Sequence, residues 1–344
     1  MKKRRSYLIF ALCLTFVWQG CSSEHVEMEP TPSVPIYLGA VAVNNNIKTR
    51  ATMGADEHNS GLPIGSEIDV FIYDSSAKPV PSMSDSDEPG PQVTLPMVYI
   101  TTEAPDPETT QAALNLKNAS VASPAYPNDG DNSAYIFAVW PAKATASEAN
   151  DDSYTFTIKD DQCSATNVTA SDLMATDNII QPRTGGKAID LPMTHCMAKV
   201  IVRFNPTGNL TSSNMPTEFT ALNIKNSVTI KPKTGATSTT NSGLAAITTN
   251  STTTTIQCST EQAFLIPPQT INADTTFLQF DISGTESDHF SPITGATFKP
   301  SQDITFEANT VYEITVNVNV NYITATATIT PWNSEDMTFD KYIL

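Results

Sequence analysis

The last long segment of the chain, Thr305 to Trp332, alternates apolar and polar residues. Between Tyr312 and Tyr322 every even position is apolar, and the intervening odd positions are Glu, Thr or Asn. A period of two predicts a half-buried β-strand. From Ile323 onward the apolar residues occupy odd positions, so the phase has shifted. Such a shift requires a tight turn or a bulge, and the segment is predicted to form a hairpin or a bulged strand.

Other apolar runs of strand length are separated by turn signals. Strands are predicted at 36–43, 64–73, 135–140, 154–158, 189–204, 219–224, 228–230, 263–266 and 277–282. Residues 36–43, IYLGAVAV, are apolar on both faces, which is typical of a strand between two layers or in a groove. Ser171 is a possible N-cap for a short helix at 172–175. Many short strands and no long helical pattern predict an all-β chain of β-sandwiches.

The length of 344 residues allows two domains, each with its own core. We place the boundary before the predicted strand at 189–204. The division is then an N-terminal β-sandwich domain at 51–187 and a C-terminal β-sandwich domain at 188–344.

The first 20 residues have the pattern of a secretory signal peptide, with a basic start, an apolar run from Tyr7 to Val17 and Gly20 before Cys21. The Gly-Cys pair that ends the apolar run resembles a bacterial lipoprotein signal, and this resemblance implies lipidation at Cys21. Several acyl chains would anchor the chain durably to a membrane. Residues 22–35 contain three prolines and are predicted to be a tether. Further along, Arg50 lies in a polar stretch after the strand at 36–43, so a trypsin-like protease could cut between Arg50 and Ala51.

Composition excludes some classes of partner. The formal net charge is −17, and it falls to −21 when the four basic residues of the signal peptide are removed. So acidic a surface repels nucleic acid and anionic membranes, which makes a nucleic-acid partner unexpected.

No motif for catalysis or metal binding is visible in the sequence. We expect no enzyme, no cofactor and no metal, since CxxC, HExxH, GxSxG and a Walker-type loop are all absent. His195 beside Cys196 is expected to be a core residue. Two separated carboxylates, Asp69 and Asp281, could still meet in space. Cys163, Cys196 and Cys258 could form one disulfide with one thiol left over, or could remain three buried thiols.

Taken together, several stretches resemble the fimbrillin family of Bacteroidetes, the subunits of type V pili. The resemblance lies in the Gly-Cys signal at Cys21, in Thr49-Arg50-Ala51, and in a series of later motifs. In order these are EIDVFIY at 67–73, YIFAVWP at 135–141, DLMA at 172–175, LPMTHCMAKVIVRF at 191–204, AFLIPPQTI at 263–271, and FEANTVYEITVNV through ITATATITPW at 306–332.

The resemblance implies two transthyretin-like β-sandwich domains in tandem and a lipoprotein precursor carried to the cell outer membrane. An Arg-specific protease would cut after Arg50 and remove residues 21–50. The strand displaced in this way is marked by Ile36, Leu38, Val41 and Val43. A donor strand from another fimbrillin subunit, in a homo- or a hetero-polymer, would then fill the groove, as in β-strand addition.

In the family the donor comes from the C-terminal region, which points to residues from about Thr310 to Leu344. The candidates for a donor strand, or for the C-terminal core, are Ile314, Val316, Val318, Val320, Ile323, Ile329 and Trp332. Only a short tail follows Trp332, which would suit a tip or accessory subunit better than a stalk subunit. Position in the pilus stays open.

The resemblance also implies a structural or adhesive role at the cell surface, with a possible ligand on host or bacterial surfaces. Adhesive surface is expected on the predicted loops at 74–92, 105–133 and 234–255. The alternative is a surface lipoprotein that binds glycans beside an outer-membrane transporter. Such proteins present exposed aromatic platforms, whereas Trp140 and Trp332 both lie at predicted strand ends.

Overall fold

The computed structural model describes residues 33–43, 62–84, 90–104, 111–127, 132–143, 154–183, 186–231, 247–284, 291–319, 323–331 and 342–343. The first half of the strands is β1 Leu38–Val43, β2 Glu67–Tyr73, β3 Met97–Thr101, β4 Gln111–Leu116, β5 Ser133–Trp140, β6 Tyr154–Thr157, β7 Asp161–Gln162, β8 Met174–Thr176, β9 Ile179–Pro182, β10 Ile189–His195 and β11 Ala198–Pro206.

The second half is β12 Glu218–Lys225, β13 Ser227–Ile230, β14 Ile247–Thr249, β15 Thr253–Ser259, β16 Phe264–Ile266, β17 Gln269–Ile271, β18 Leu278–Ile282, β19 Ile293–Phe298, β20 Ile304–Phe306, β21 Thr310–Val318, β22 Ile323–Pro331 and β23 Tyr342–Ile343. Among the described residues the helical segments are α1, Ala165–Thr169, and a 3-10 turn at Ser212–Asn214. The prediction of an all-β chain is confirmed. Neither helical segment combines the length and the apolar character needed to cross a membrane.

Seven strands of the N-terminal half close into a ring. Their order is β2-β3-β4-β1-β10-β8-β5, and β5 pairs again with β2, while β9 pairs with the far end of β5. Alternate residues of these strands point into the ring, because successive side chains of a strand lie on opposite faces. The inward residues form one buried cluster that includes Ile68, Leu114, Ile136 and Leu191.

A second cluster fills the C-terminal half. One sheet has the order β16-β11-β21-β22-β23 and another has the order β19-β18-β12-β15-β7. Buried side chains of β11, β21, β12, β15 and β18 belong to this cluster, together with the outward face of β2 and β5, including Phe71 and Phe137. Every residue of β5 is therefore buried. One face of β5 packs into the ring, and the other face packs against the core of the C-terminal sheets.

Strand pairing crosses the predicted boundary at residues 187 and 188. β6 and β7, which precede the boundary, pair with β13 and β15 of the C-terminal half. β10, which follows it, belongs to the N-terminal ring. The division into two tandem domains stays a prediction.

The closing hairpin exists as the phase shift predicted. β21 and β22 pair antiparallel from Val318 opposite Ile323 to Thr310 opposite Pro331. On its other side, β21 pairs in parallel with β11 over nine residues. β21 is therefore an interior strand of its sheet.

Three local predictions were wrong. The predicted strand at 189–204 is broken, because β10 ends at His195 and β11 begins at Ala198 in another sheet. The short helix is α1, whose N-cap is Ser164 with its hydroxyl accepting from the backbone N–H of Asn167, and residues 174–176 form β8 instead. The predicted loops at 105–133 and 234–255 contain β4, β14 and part of β15.

Candidate groove around the N-terminal strand

β1 lies between two strands that come from distant parts of the sequence. It pairs in parallel with β10, where Leu38 is opposite Ile189 and Val41 is opposite Leu191. It pairs antiparallel with β4, where Val41 is opposite Ala112. The ring of seven strands is closed only because β1 bridges β4 and β10.

The side chains of β1 and of the two residues before it divide between the ring interior and its surface. Ile36, Leu38 and Val41 are 2%, 8% and 0% exposed and belong to the interior cluster. Tyr37 between them is 50% exposed. The sequence predicted a strand that is apolar on both faces, and the structure buries one set of these side chains inside the ring.

The segment before β1 is also held by main-chain hydrogen bonds. The N–H of Ile36 donates to the carbonyl of Pro124 at 2.8 Å, and the N–H of Tyr126 donates to the carbonyl of Val34 at 2.9 Å. The N–H of Ile189 donates to the carbonyl of Tyr37 at 2.8 Å. The chain is thus paired from residue 34 to the end of β1 at Val43.

A β-bulge interrupts the pairing of β1 with β10. The register advances three residues on β1, from Leu38 to Val41, while it advances two residues on β10, from Ile189 to Leu191. Gly39 lies in this bulge. A Cβ atom at Gly39 would be 2.9 Å from the Cβ of Ala188 and 3.0 Å from Oδ1 of Asp190. The close approach of Ala188, the residue before β10, leaves no room for a side chain at this position.

Loss of β1 would be costly unless another strand took its place. Burial of each aliphatic side chain contributes about 1.5–3 kcal/mol. Without β1, the backbone groups of β4 and β10 that face it would be unpaired edges, and such edges accept other strands. β1 thus occupies a groove between β4 and β10, in which its inward side chains are buried and its backbone covers the edge of each neighbouring strand.

Sequence analysis named Ile36, Leu38, Val41 and Val43 for this strand, and the structure brings their backbone together in one segment. Val43 is opposite Met193, and its side chain is not described. Cys21, Arg50 and Ala51 lie outside the described residues.

The sequence did not reveal the residues that line the groove, namely Ala112, Ala188, Ile189 and Leu191, or the close approach to Gly39 of the strand that fills it. β4 has apolar residues at Ala112, Leu114 and Leu116, so a period of two was present. Its remaining Gln, Ala and Asn residues have low β-propensity and obscured that signal.

The C-terminal candidates have a different environment. Ile314, Val316 and Val318 of β21 are all 0% exposed and belong to the core of their own chain. Ile323 and Ile329 lie on β22, whose backbone pairs with β21, while Val320 and Trp332 lie outside the described residues.

Potential chemical groups are scattered through the described part of the chain. His195 and Asp172 form a buried pair, whereas Asp69 and Asp281 lie in different sheets and each accepts a hydrogen bond from a backbone N–H, of Lys143 and Gly295 respectively. No group of three or more His, Cys, Asp or Glu side chains among the described residues could hold a metal ion. Trp140 is 8% exposed and is not an aromatic platform.

The three cysteines of the described chain are free thiols. Burial and the nearby Asp161 raise the pKa of Cys163 to about 11. Burial also raises the pKa of Cys196 and of Cys258 far above the ordinary value. Because the thiolate is the reactive form, these groups are poorly suited to nucleophilic chemistry.

Comparison with known proteins gives a consistent picture. A family model described as fimbrillin-like matches residues 49–332. A candidate cell adhesion protein from Bacteroides uniformis has a TM-score of 0.55 at 15% identity, over 87% of this chain and 98% of its own. A second one, from Bacteroides ovatus, has a TM-score of 0.54 at 14% identity, over 89% of this chain and 100% of its own. These likenesses show a common fold. No curated protein matches the chain significantly.

Proposed function

The chain belongs to the fimbrillin-like family, and from that premise we propose that it is a structural or adhesive subunit of a type V fimbria. The observation that carries the proposal is the position of β1. One short N-terminal strand closes a ring between β4 and β10, and its inward side chains are buried in the ring. The role is one of assembly, with no catalytic step.

In this proposal the chain is exported as a lipoprotein. The basic and apolar residues before Cys21 direct secretion, and acylation of Cys21 anchors the precursor in the outer membrane. The fimbria on the cell surface is then the final location.

An Arg-specific protease then cuts between Arg50 and Ala51. The cut separates β1 from the rest of the chain, so that residues 21–50 are held only by noncovalent contacts. When they leave, the facing edges of β4 and β10 and the apolar ring interior become available to a strand from another subunit.

The donor strand belongs to the C-terminal region of a fimbrillin subunit. In this chain β21 is flanked by β11 and β22, and its inward residues are part of the core, so its departure would break the core. β22 and β23 lie farther from the center of that sheet. We therefore assign the capacity to act as a donor to residues 323–344.

The test is to determine the N-terminal residue and the intact mass of the protein recovered from the cell surface. We expect a start at Ala51 in the polymer and a start at acylated Cys21 in an Arg50→Ala variant, which should not polymerise. Lys48→Ala is the matched control and should be processed normally. If the wild-type protein starts at acylated Cys21 in every surface fraction, the proposal is wrong, and a permanently anchored lipoprotein that binds glycans would become the better hypothesis.

A further inference from the structure

We propose that the groove between β4 and β10 selects strands with glycine at the bulge, and that the incoming strand therefore comes from a different subunit rather than from a copy of this chain. The inference rests on the proposed exchange of β1 for a donor strand. It adds a requirement that the donor sequence must meet.

The geometry of the bulge sets that requirement. The inward residues Ile36 and Leu38 are two positions apart, whereas Leu38 and Val41 are three positions apart. A strand that fills the same three places therefore needs apolar residues in the order i, i+2 and i+5. Position i+3 then occupies the place of Gly39.

The place of Gly39 is closed to larger residues by Ala188. The Cβ of Ala188 would lie 2.9 Å from a Cβ at Gly39, which is shorter than van der Waals contact allows. Ala188 has no rotatable side chain, so relief would require its backbone to move. The carboxylate of Asp190 can rotate away. Gly39 is not among the residues with positive φ, so close approach rather than backbone conformation requires glycine here.

The other places of the groove accept aliphatic side chains. Val41 is fully buried and is paired with Ala112 on one side and Leu191 on the other, and both of these are 0% exposed. Tyr37 at position i+1 is half exposed, so this position is tolerant. The template for a donor is thus apolar, any residue, apolar, glycine, any residue, apolar.

The C-terminal region of this chain does not match the template. The last glycine of the sequence is Gly295, so the candidate donor region from Thr310 to Leu344 contains none. Alanine, the next smallest residue, does not take the place of glycine in that region either. The template needs apolar residues one and three positions before the glycine, and no alanine of that region has both. Residues 310–344 of this chain therefore do not fit the groove of the same chain.

The experiment measures strand exchange in the chain from Ser22, cut after Arg50 so that the strand remains held by its contacts. Fluorescent peptides are added and their binding is followed by anisotropy. The peptides are residues 33–44, the same peptide with Gly39→Ala, and residues 323–344. We expect the Gly39→Ala peptide and the C-terminal peptide to bind at least about tenfold more weakly. The first adds a Cβ where Ala188 leaves no space, and the second lacks the required spacing of apolar residues and glycine.

A compensating variant makes the test specific. In a chain with Ala188→Gly, the Gly39→Ala peptide should recover most of the lost affinity. The same pair of substitutions in the uncut chain should show the same coupling in the denaturant midpoint, which does not depend on exchange.

The outcomes separate the two proposals. Equal binding of the peptides with glycine and alanine, or tighter binding of residues 323–344, would overturn the glycine requirement and leave strand exchange intact. A Gly39→Ala substitution that leaves the midpoint of the uncut chain unchanged would overturn it as well. If no peptide replaces the cut strand while the uncut chain shows the coupling, the place of Gly39 does require glycine, and the proposed strand exchange is wrong.

Discussion

Nδ1 of His195 lies 2.9 Å from Oδ2 and 3.0 Å from Oδ1 of Asp172, and both side chains are 1% exposed. The pair joins the end of β10 to the residue two positions before β8. His195 ends the strand with which β1 pairs, although the pair is not part of the groove. The adjacent N–H of Cys196 donates to the carbonyl of Leu173 at 2.7 Å.

Removal of the carboxylate should destabilise the fold strongly. Asp172→Ala leaves a buried imidazole nitrogen without this partner, and a buried polar group that loses its hydrogen-bond partner costs about 1–3 kcal/mol. Asp172→Asn should cost less, because an amide oxygen can still accept from Nδ1. The exposed Asp177→Ala is the control and should stay within about 0.5 kcal/mol of wild type. Urea titrations measure all three, and an equal effect of Asp172→Ala and Asp177→Ala would contradict the structural role.

Burial of Asp69 predicts a pH dependence of stability. Asp69 is 1% exposed, its Oδ2 accepts from the N–H of Lys143 at 2.9 Å, and burial raises the pKa of the carboxyl above 3.8. The folded state therefore binds the proton more tightly than the unfolded state. The resulting stabilisation is fully present below the unfolded pKa and is lost as the pH rises through the folded pKa.

Asp69→Asn removes this titration. Relative to wild type, the variant should gain unfolding free energy as the pH rises from about 4 to about 7, because only the wild type loses its proton. Denaturant midpoints across that range provide the measurement. The exposed Asp177→Asn serves as the control. Parallel pH profiles for Asp69→Asn and wild type would show that Asp69 titrates alike in both states.

The buried face of β1 should control how firmly the strand is held. Val41→Ala removes fully buried methyl groups and should cost about 2 kcal/mol in the uncut chain. After cleavage at Arg50, the same substitution should speed release of the strand. Tyr37→Ala, on the half-exposed face, should change both quantities much less. Similar release rates for the two variants would mean that the ring interior does not hold the strand.

The thiols of the native chain should be unreactive. Burial raises the pKa of Cys163 to about 11 and that of Cys196 still further, so few thiolates form near neutral pH. In the chain from Ser22, iodoacetamide should leave Cys163, Cys196 and Cys258 unmodified at pH 8 and label all three in denaturant. Mass spectrometry would detect this, and a cysteine pair that stays unlabelled in denaturant until it is reduced would indicate a disulfide instead.

Local periodicity predicted those strands that coincide with a single apolar run of the sequence. The predicted strand at 64–73 contains β2, and that at 135–140 lies within β5. The phase shift before Ile323 predicted a hairpin or a bulged strand, and the structure has the antiparallel pair of a hairpin in β21 and β22. In these segments alternation and turn signals are properties of neighbouring residues, so the sequence alone carries them.

The candidate site depended on contacts that no local pattern contains. By itself the sequence determined an all-β chain, an apolar strand near the N-terminus and an arginine shortly after it. Only the tertiary structure decided that this strand bridges β4 and β10 in a closed ring and that Ala188 restricts the bulge to glycine. The physical reason is that strand pairing joins residues far apart in the chain, and the register of those pairs sets which side chains meet.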